Sequence, residues 1–179
     1  MTPPYDADTA AALAVLGPPI GIFRVFARRP DRAHGIAGWG RYYLSRQCAL
    51  SLRHRELLIL RTTARCGAEY EWGVHVQVFA DKAGLSSAQV RSLTTGQPDD
   101  PCWTDPADRA VLRAADALDR DCDLSDADWT QLSGAVGEEG AVDALLLCGW
   151  SRAISNVARA ARLEPEPGAP LFADLGHGA

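Results

Sequence analysis

The 179-residue chain lacks any apolar run near the roughly 18 to 20 residues that a membrane-spanning helix requires. Its opening, Met1-Thr-Pro-Pro-Tyr-Asp6, has neither the basic n-region nor the apolar h-region of a secretory signal. Both absences predict a cytoplasmic protein that does not enter a membrane. The five cysteines (Cys48, Cys66, Cys102, Cys122, Cys148) are odd in number and include no C-x-x-C pair, which excludes a disulfide framework and a zinc ribbon. Reduced thiols are expected. The four histidines (His34, His54, His75, His177) form no H-x-x-x-H or H-E-x-x-H pair, so no metal is expected. The arginines lie at helical spacing without a lysine cluster or an interleaved aromatic motif, and the isoelectric point is about 5.3; nucleic acid is not an expected partner.

What is present is a chain of one-domain length with 47% hydrophobic residues, enough for a core. Its net charge of −5 is unevenly distributed. Residues 1–96 carry 12 Lys and Arg against 7 Asp and Glu, whereas residues 97–179 carry 6 against 16, giving +5 and −10. Attraction between the halves, or between subunits, follows from that asymmetry. About 30 alanines, few β-branched residues and apolar spacings of three and four predict an all-α fold.

Helices are expected at Ala10 to Val15, Ile20 to Arg28 and Pro30 to Leu44, the last opened by Pro30-Asp31. Ser51 is an N-cap for a helix through Arg65, broken by Cys66-Gly67, and the next runs from Glu69 to Ala83 with Gly84 as its stop. Ser86-Ser-Ala-Gln89 reads as a capping box for a helix ending near Thr94. Thr95 to Trp103 is the longest loop and the expected place for any subdomain boundary. Asp105-Pro106 opens a helix to about Arg120, Ser125 another, and Glu139 to Arg162 forms a long terminal helix. One helical domain over 1–164, followed by a Pro- and Gly-rich tail over 165–179, is the expected organisation.

The chemistry concentrates in Leu52-Arg-His-Arg-Glu56-Leu-Leu-Ile-Leu-Arg61 and Cys66-Gly-Ala-Glu69-Tyr-Glu71-Trp-Gly-Val-His75. The first helix should bury Leu57, Leu60 and Ala64 and the second Val74, Val78 and Phe79, as an antiparallel hairpin about Cys66-Gly67. Glu56 lies about ten residues before that break and His75 about eight after it, each on the order of 12 to 15 Å along its helix. The two should meet, and Glu71, four residues before His75, shares its face. A carboxylate beside an imidazole orients the ring and raises its pKa, which suits His75 to proton transfer. The plainer alternative is a solvated Glu71–His75 pair, with Glu56 an exposed partner of Arg53 or a helix-dipole residue.

Residues 50–93 resemble the carboxymuconolactone decarboxylase family, which also contains alkylhydroperoxidase D, an all-helical fold that forms oligomers with sites between helices. The peroxidase branch carries Glu, eleven residues, Cys-x-x-Cys, three residues and His. Counted from Glu56, that spacing lands on Ala68, Glu71 and His75, so the glutamate and histidine match and both cysteines are missing. Thiol exchange needs a thiolate and a resolving thiol, which Ala68 and Glu71 do not supply. Cys66 is two residues early, about 200° around a helix from the family position, and otherwise reads as a small buried hydrophobe. The decarboxylase branch lacks the cysteines and places a glutamate four residues before the histidine, as Glu71 and His75 do.

The resemblance thus implies an alkylhydroperoxidase D-like helical bundle and a homo-oligomer acting on a small organic acid or lactone by decarboxylation or isomerisation without a cofactor. His75 would be the general acid/base, Glu56 its orienting carboxylate and Glu71 a second carboxylate tuning it or touching substrate. Tyr70, Trp72 and Cys66 are candidate substrate-binding residues, although aromatics at helical spacing also read as core. The rival readings are a thiol peroxidase using Cys66 and a non-catalytic helical oligomer that binds a ligand. Trp39, Tyr42 and Tyr43 read as core, pocket or oligomer seam. Ala141 to Cys148 with Trp150 reads as a buried or intersubunit helix, and His34, His54 and His177 have no evident partners.

Overall fold

A computed structural model describes residues 3–176. Among them the protein is all-α, with eight α-helices, one 3-10 turn and no strand. None of these helices is long and apolar enough to cross a membrane. His177 lies outside the described residues. Two compact units are distinguished, residues 1–48 and 49–179. The expected loop at 95–103 lies inside the second.

The first unit holds α1 (Ala7–Leu16), α2 (Gly21–Ala27) and α3 (Pro30–Leu44). Asp6 caps α1, its Oδ1 accepting the Thr9 amide at 2.8 Å, so the helix starts three residues before its expected first residue, Ala10. Ala12, Leu13, Ala27 and Ala33 form a small core with Tyr5, Leu16 and Phe23 packed on it. Of the three α3 aromatics, Tyr43 is buried and Trp39 and Tyr42 are exposed. His34, expected without a partner, places Nδ1 2.8 Å from the Pro30 carbonyl.

The second unit is built around α4 (Leu52–Arg65), capped by Ser51 Oγ accepting from the His54 amide at 3.1 Å. Every residue from Glu56 to Thr63 is buried. A helix buried on all faces is surrounded by neighbours, and α4 touches α5 (Glu69–Phe79), α6 (Ser87–Thr95), α7 (Pro106–Asp121) and α8 (Asp126–Ala160). Arg53 and Asp108, then Arg61 and Asp116, pair between α4 and α7. Each pair is separated by 55 residues, so the two helices run side by side in the same direction. These bonds join the basic half of the sequence to the acidic half. The Arg61 guanidinium, 1% exposed, also donates to the carbonyls of Ser92, Leu93 and Gly96 at 3.0 to 3.1 Å. It thereby satisfies the C-terminal carbonyls of α6.

Gly67 ends its helix as expected, whereas α5 stops at Phe79, four residues short of the expected Ala83, and turns follow up to Gly84. Gly67 at φ 62° closes α4, with the Ala68 amide on Thr63 O and the Gly67 amide on Ala64 O. That is a Schellman motif. Gly84 at φ 66° ends the turn after α5 in the same way, through Leu85 N to Ala80 O and Gly84 N to Asp81 O. The capping box of Ser86 and Gln89 is formed. Gly137, at φ 78° and ψ 164°, breaks α8 into two runs, which is why two helices are legible there in the sequence.

Further expectations are corrected. Val78 is 40% exposed, and α5 buries Tyr70, Trp72 and Gly73 in its place. His54, expected without a partner, holds Nε2 3.7 Å from Asp108 Oδ1, and burial keeps its pKa below the ordinary histidine value against the pull of Asp108. Residues 166–172, within the Pro- and Gly-rich segment expected as a tail, lie along α5. Glu166 Oε1 accepts from Tyr70 Oη at 2.7 Å, the Phe172 amide donates to Glu69 Oε1 at 2.7 Å, and the Phe172 ring sits 4.9 Å from that of Trp72. Gly73 permits this approach, because a Cβ there would stand 2.6 Å from the Pro170 carbonyl oxygen.

Candidate active site

Glu56 enters the site from the second turn of α4, inside the buried run, and its side chain is 1% exposed. His75 comes from the penultimate turn of α5 and is 16% exposed. The Cys66–Ala68 turn between the helices places the imidazole Nδ1 2.9 Å from Glu56 Oε2. On the other side of the ring, Nε2 is 3.6 Å from Glu71 Oε1, one helical turn away on α5. That distance is an ion-pair contact longer than a hydrogen bond. The two carboxylates thus flank the two ring nitrogens, and the Phe79 ring lies 5.4 Å from the imidazole.

Burial alone would push the His75 pKa down. The Glu56 charge and hydrogen bond, reinforced by Glu71, reverse that effect and push it up to about 10. At neutral pH His75 is therefore an imidazolium with Glu56 accepting its Nδ1–H. Glu71 Oε2 is buried and makes no hydrogen bond to another protein group.

The remaining sequence candidates go elsewhere. Tyr70 and Trp72 are buried beneath residues 166–172, and Trp72 Nε1 has no hydrogen-bond partner. Cys66 is half-buried at the end of α4, its carbonyl accepting from Arg159 Nη1 at 2.7 Å. None of the five cysteines forms a disulfide. Burial pushes the Cys148 thiol up to about 11, which keeps it protonated at neutral pH. Among the described residues, no group of three or more His, Cys, Asp or Glu is arranged to hold a metal ion.

Sequence reasoning missed the Arg–Asp clamps that fix α4 in place and, with it, Glu56. Arg and Asp eight residues apart on both helices (Arg53 and Arg61, Asp108 and Asp116) were the available signal. No family model, curated protein or solved structure matches the chain.

Proposed function

We propose that this protein is an enzyme similar to the carboxymuconolactone decarboxylases, acting on a small organic acid or lactone by proton transfer, with decarboxylation or isomerisation as the reaction. The observation that carries this reading is the Glu56–His75 contact at 2.9 Å, made between residues 19 apart in sequence, with Glu71 on the second ring nitrogen.

In decarboxylation, the carbon–carbon bond to the carboxylate breaks and carbon dioxide leaves. The electron pair passes into the substrate's own conjugated carbonyl as an enolate. His75 then delivers its Nε2 proton to the substrate carbon, a transfer that runs downhill because an enolate is a stronger base than imidazole. Glu56 keeps the ring oriented and stabilises the charge it carries before the transfer. Glu71, the second carboxylate beside the ring, tunes His75 or accepts a hydrogen bond from substrate, or a proton when the reaction is an isomerisation. Water afterwards restores the proton to His75.

The test is turnover with a panel of unsaturated lactone carboxylates and β-keto acids, read as carbon dioxide release and as deuterium incorporation from heavy water. Glu56→Gln and His75→Gln should each lower turnover by about 10²- to 10⁴-fold, with folding checked by circular dichroism, while Cys66→Ser leaves it largely intact. Loss of turnover in Cys66→Ser alone would replace this reading with a one-cysteine peroxidase.

The same resemblance leads to a homo-oligomer of at least two chains. Val142 and Leu146 on α8, 45% and 47% exposed, supply apolar surface for it. Sedimentation at micromolar concentration should give a dimer or larger, with a helical interface above roughly 1,000 Å²; a monomer contradicts the assembly.

A further inference from the structure

The second unit contains a cleft of about 480 Å³ whose lining includes none of Glu56, Glu71 and His75, bounded by α4, α7, α8 and the turn joining α7 to α8. Its volume is within the range of small-molecule sites, roughly 300 to 1,000 Å³. Leu118, Leu124 and Leu145 form an apolar wall and are only half-buried, and Trp129, 37% exposed, stands among the lining residues. Side chains of this size left uncovered beside a formed concavity are what an apolar ligand body covers.

The charged lining decides the kind of ligand. Asp119 is already satisfied, since Arg152 Nη2 donates to its Oδ1 and to its carbonyl. The other two acids, Asp123 and Asp126, are exposed and have no cationic partner among the described residues; Asp123 Oδ1 only accepts the Leu124 amide, at 2.8 Å. An anion entering the cleft would meet two unneutralised carboxylates, with the one arginine engaged. A cation meets those carboxylates together with the exposed Trp129 indole, and carboxylates with an aromatic ring are the combination that recognises organic ammonium groups.

We infer that this cleft binds a small organic cation, an arylalkyl amine or its quaternary counterpart, with the apolar body against Leu118 and Leu145 and the ammonium group toward Trp129, Asp123 and Asp126. The inference is independent of the proposed reaction at His75. Cys122, exposed and also lining the cleft, serves as a built-in reporter.

The experiment is calorimetric titration of the full chain with phenethylammonium and benzyltrimethylammonium, with 3-phenylpropionate and 2-phenylethanol as anionic and neutral counterparts. The cations should bind one per chain and slow alkylation of Cys122 by iodoacetamide, located by mass spectrometry. The anion should not bind. The double variant Asp123→Asn/Asp126→Asn, at exposed positions and with folding checked by circular dichroism, should weaken cation binding about tenfold, as should raising the salt concentration. Equal binding of the neutral or anionic counterpart overturns the inference. So does cation binding that ignores the double variant, or no binding of either cation at millimolar concentration.

Discussion

At the residue scale, the geometry of Glu56 and His75 was legible because it depends only on rise per residue and on where the chain turns. Two helices joined at Gly67 must bring positions of similar distance from the turn together. The charge state of His75 was legible in direction only, since its neighbours were known and its burial was not. Burying Glu56 to 1% exposure makes its partner structurally important. His75→Ala should cost about 3 to 5 kcal/mol of stability at neutral pH by leaving an unpaired carboxylate in the core. The double change Glu56→Leu/His75→Leu should recover most of that loss in urea denaturation, because it removes both charges.

At the element scale, helix starts were largely readable, since Ser51, Ser86, Asp105 and Ser125 are local caps, and the Gly67 break was too, whereas α5 stops at Phe79 before the expected Ala83. What local pattern does not contain is which distant helices pair. The buried Arg61 clamp on Asp116 and on the end of α6 depends on residues 31 to 55 positions away. Arg61→Ala should therefore destabilise the protein by about 3 to 5 kcal/mol, more than any exposed arginine variant, when measured by chemical denaturation. The docked C-terminal segment was hidden for a different reason. Pro165, Pro167 and Pro170 read as loop, and a loop's packing partners leave no periodic signal. Gly73→Ala would put a methyl 2.6 Å from the Pro170 carbonyl oxygen, so it should displace residues 166–172. Faster hydrogen exchange at the Phe172 amide, now bonded to Glu69, checks this; unchanged exchange would mean the backbone absorbs the methyl elsewhere.

At the scale of the whole molecule, the all-α class followed from composition, and the attraction between a basic and an acidic half takes the form of the Arg53–Asp108, Arg61–Asp116 and Arg65–Asp116 pairs. The division between residues 48 and 49 left no mark, because Ser45 to Ser51 contains neither proline nor glycine. Folding of the second unit assembles a charged imidazole between two carboxylates, and this couples stability to pH. The folded-state pKa of His75, about 10, lies above its unfolded value of 6.5, so the folded chain holds a proton that the unfolded chain releases. The stabilisation is complete below pH 6.5 and is lost as pH rises through 10. The most direct test is a nuclear magnetic resonance titration of the His75 ring from pH 5 to 11. The imidazolium should persist well above pH 8, and Glu56→Gln should bring its midpoint down sharply. A His75 that loses its proton at or below pH 6.5 in the unmodified protein would contradict the role proposed for it, a charged proton donor flanked by carboxylates.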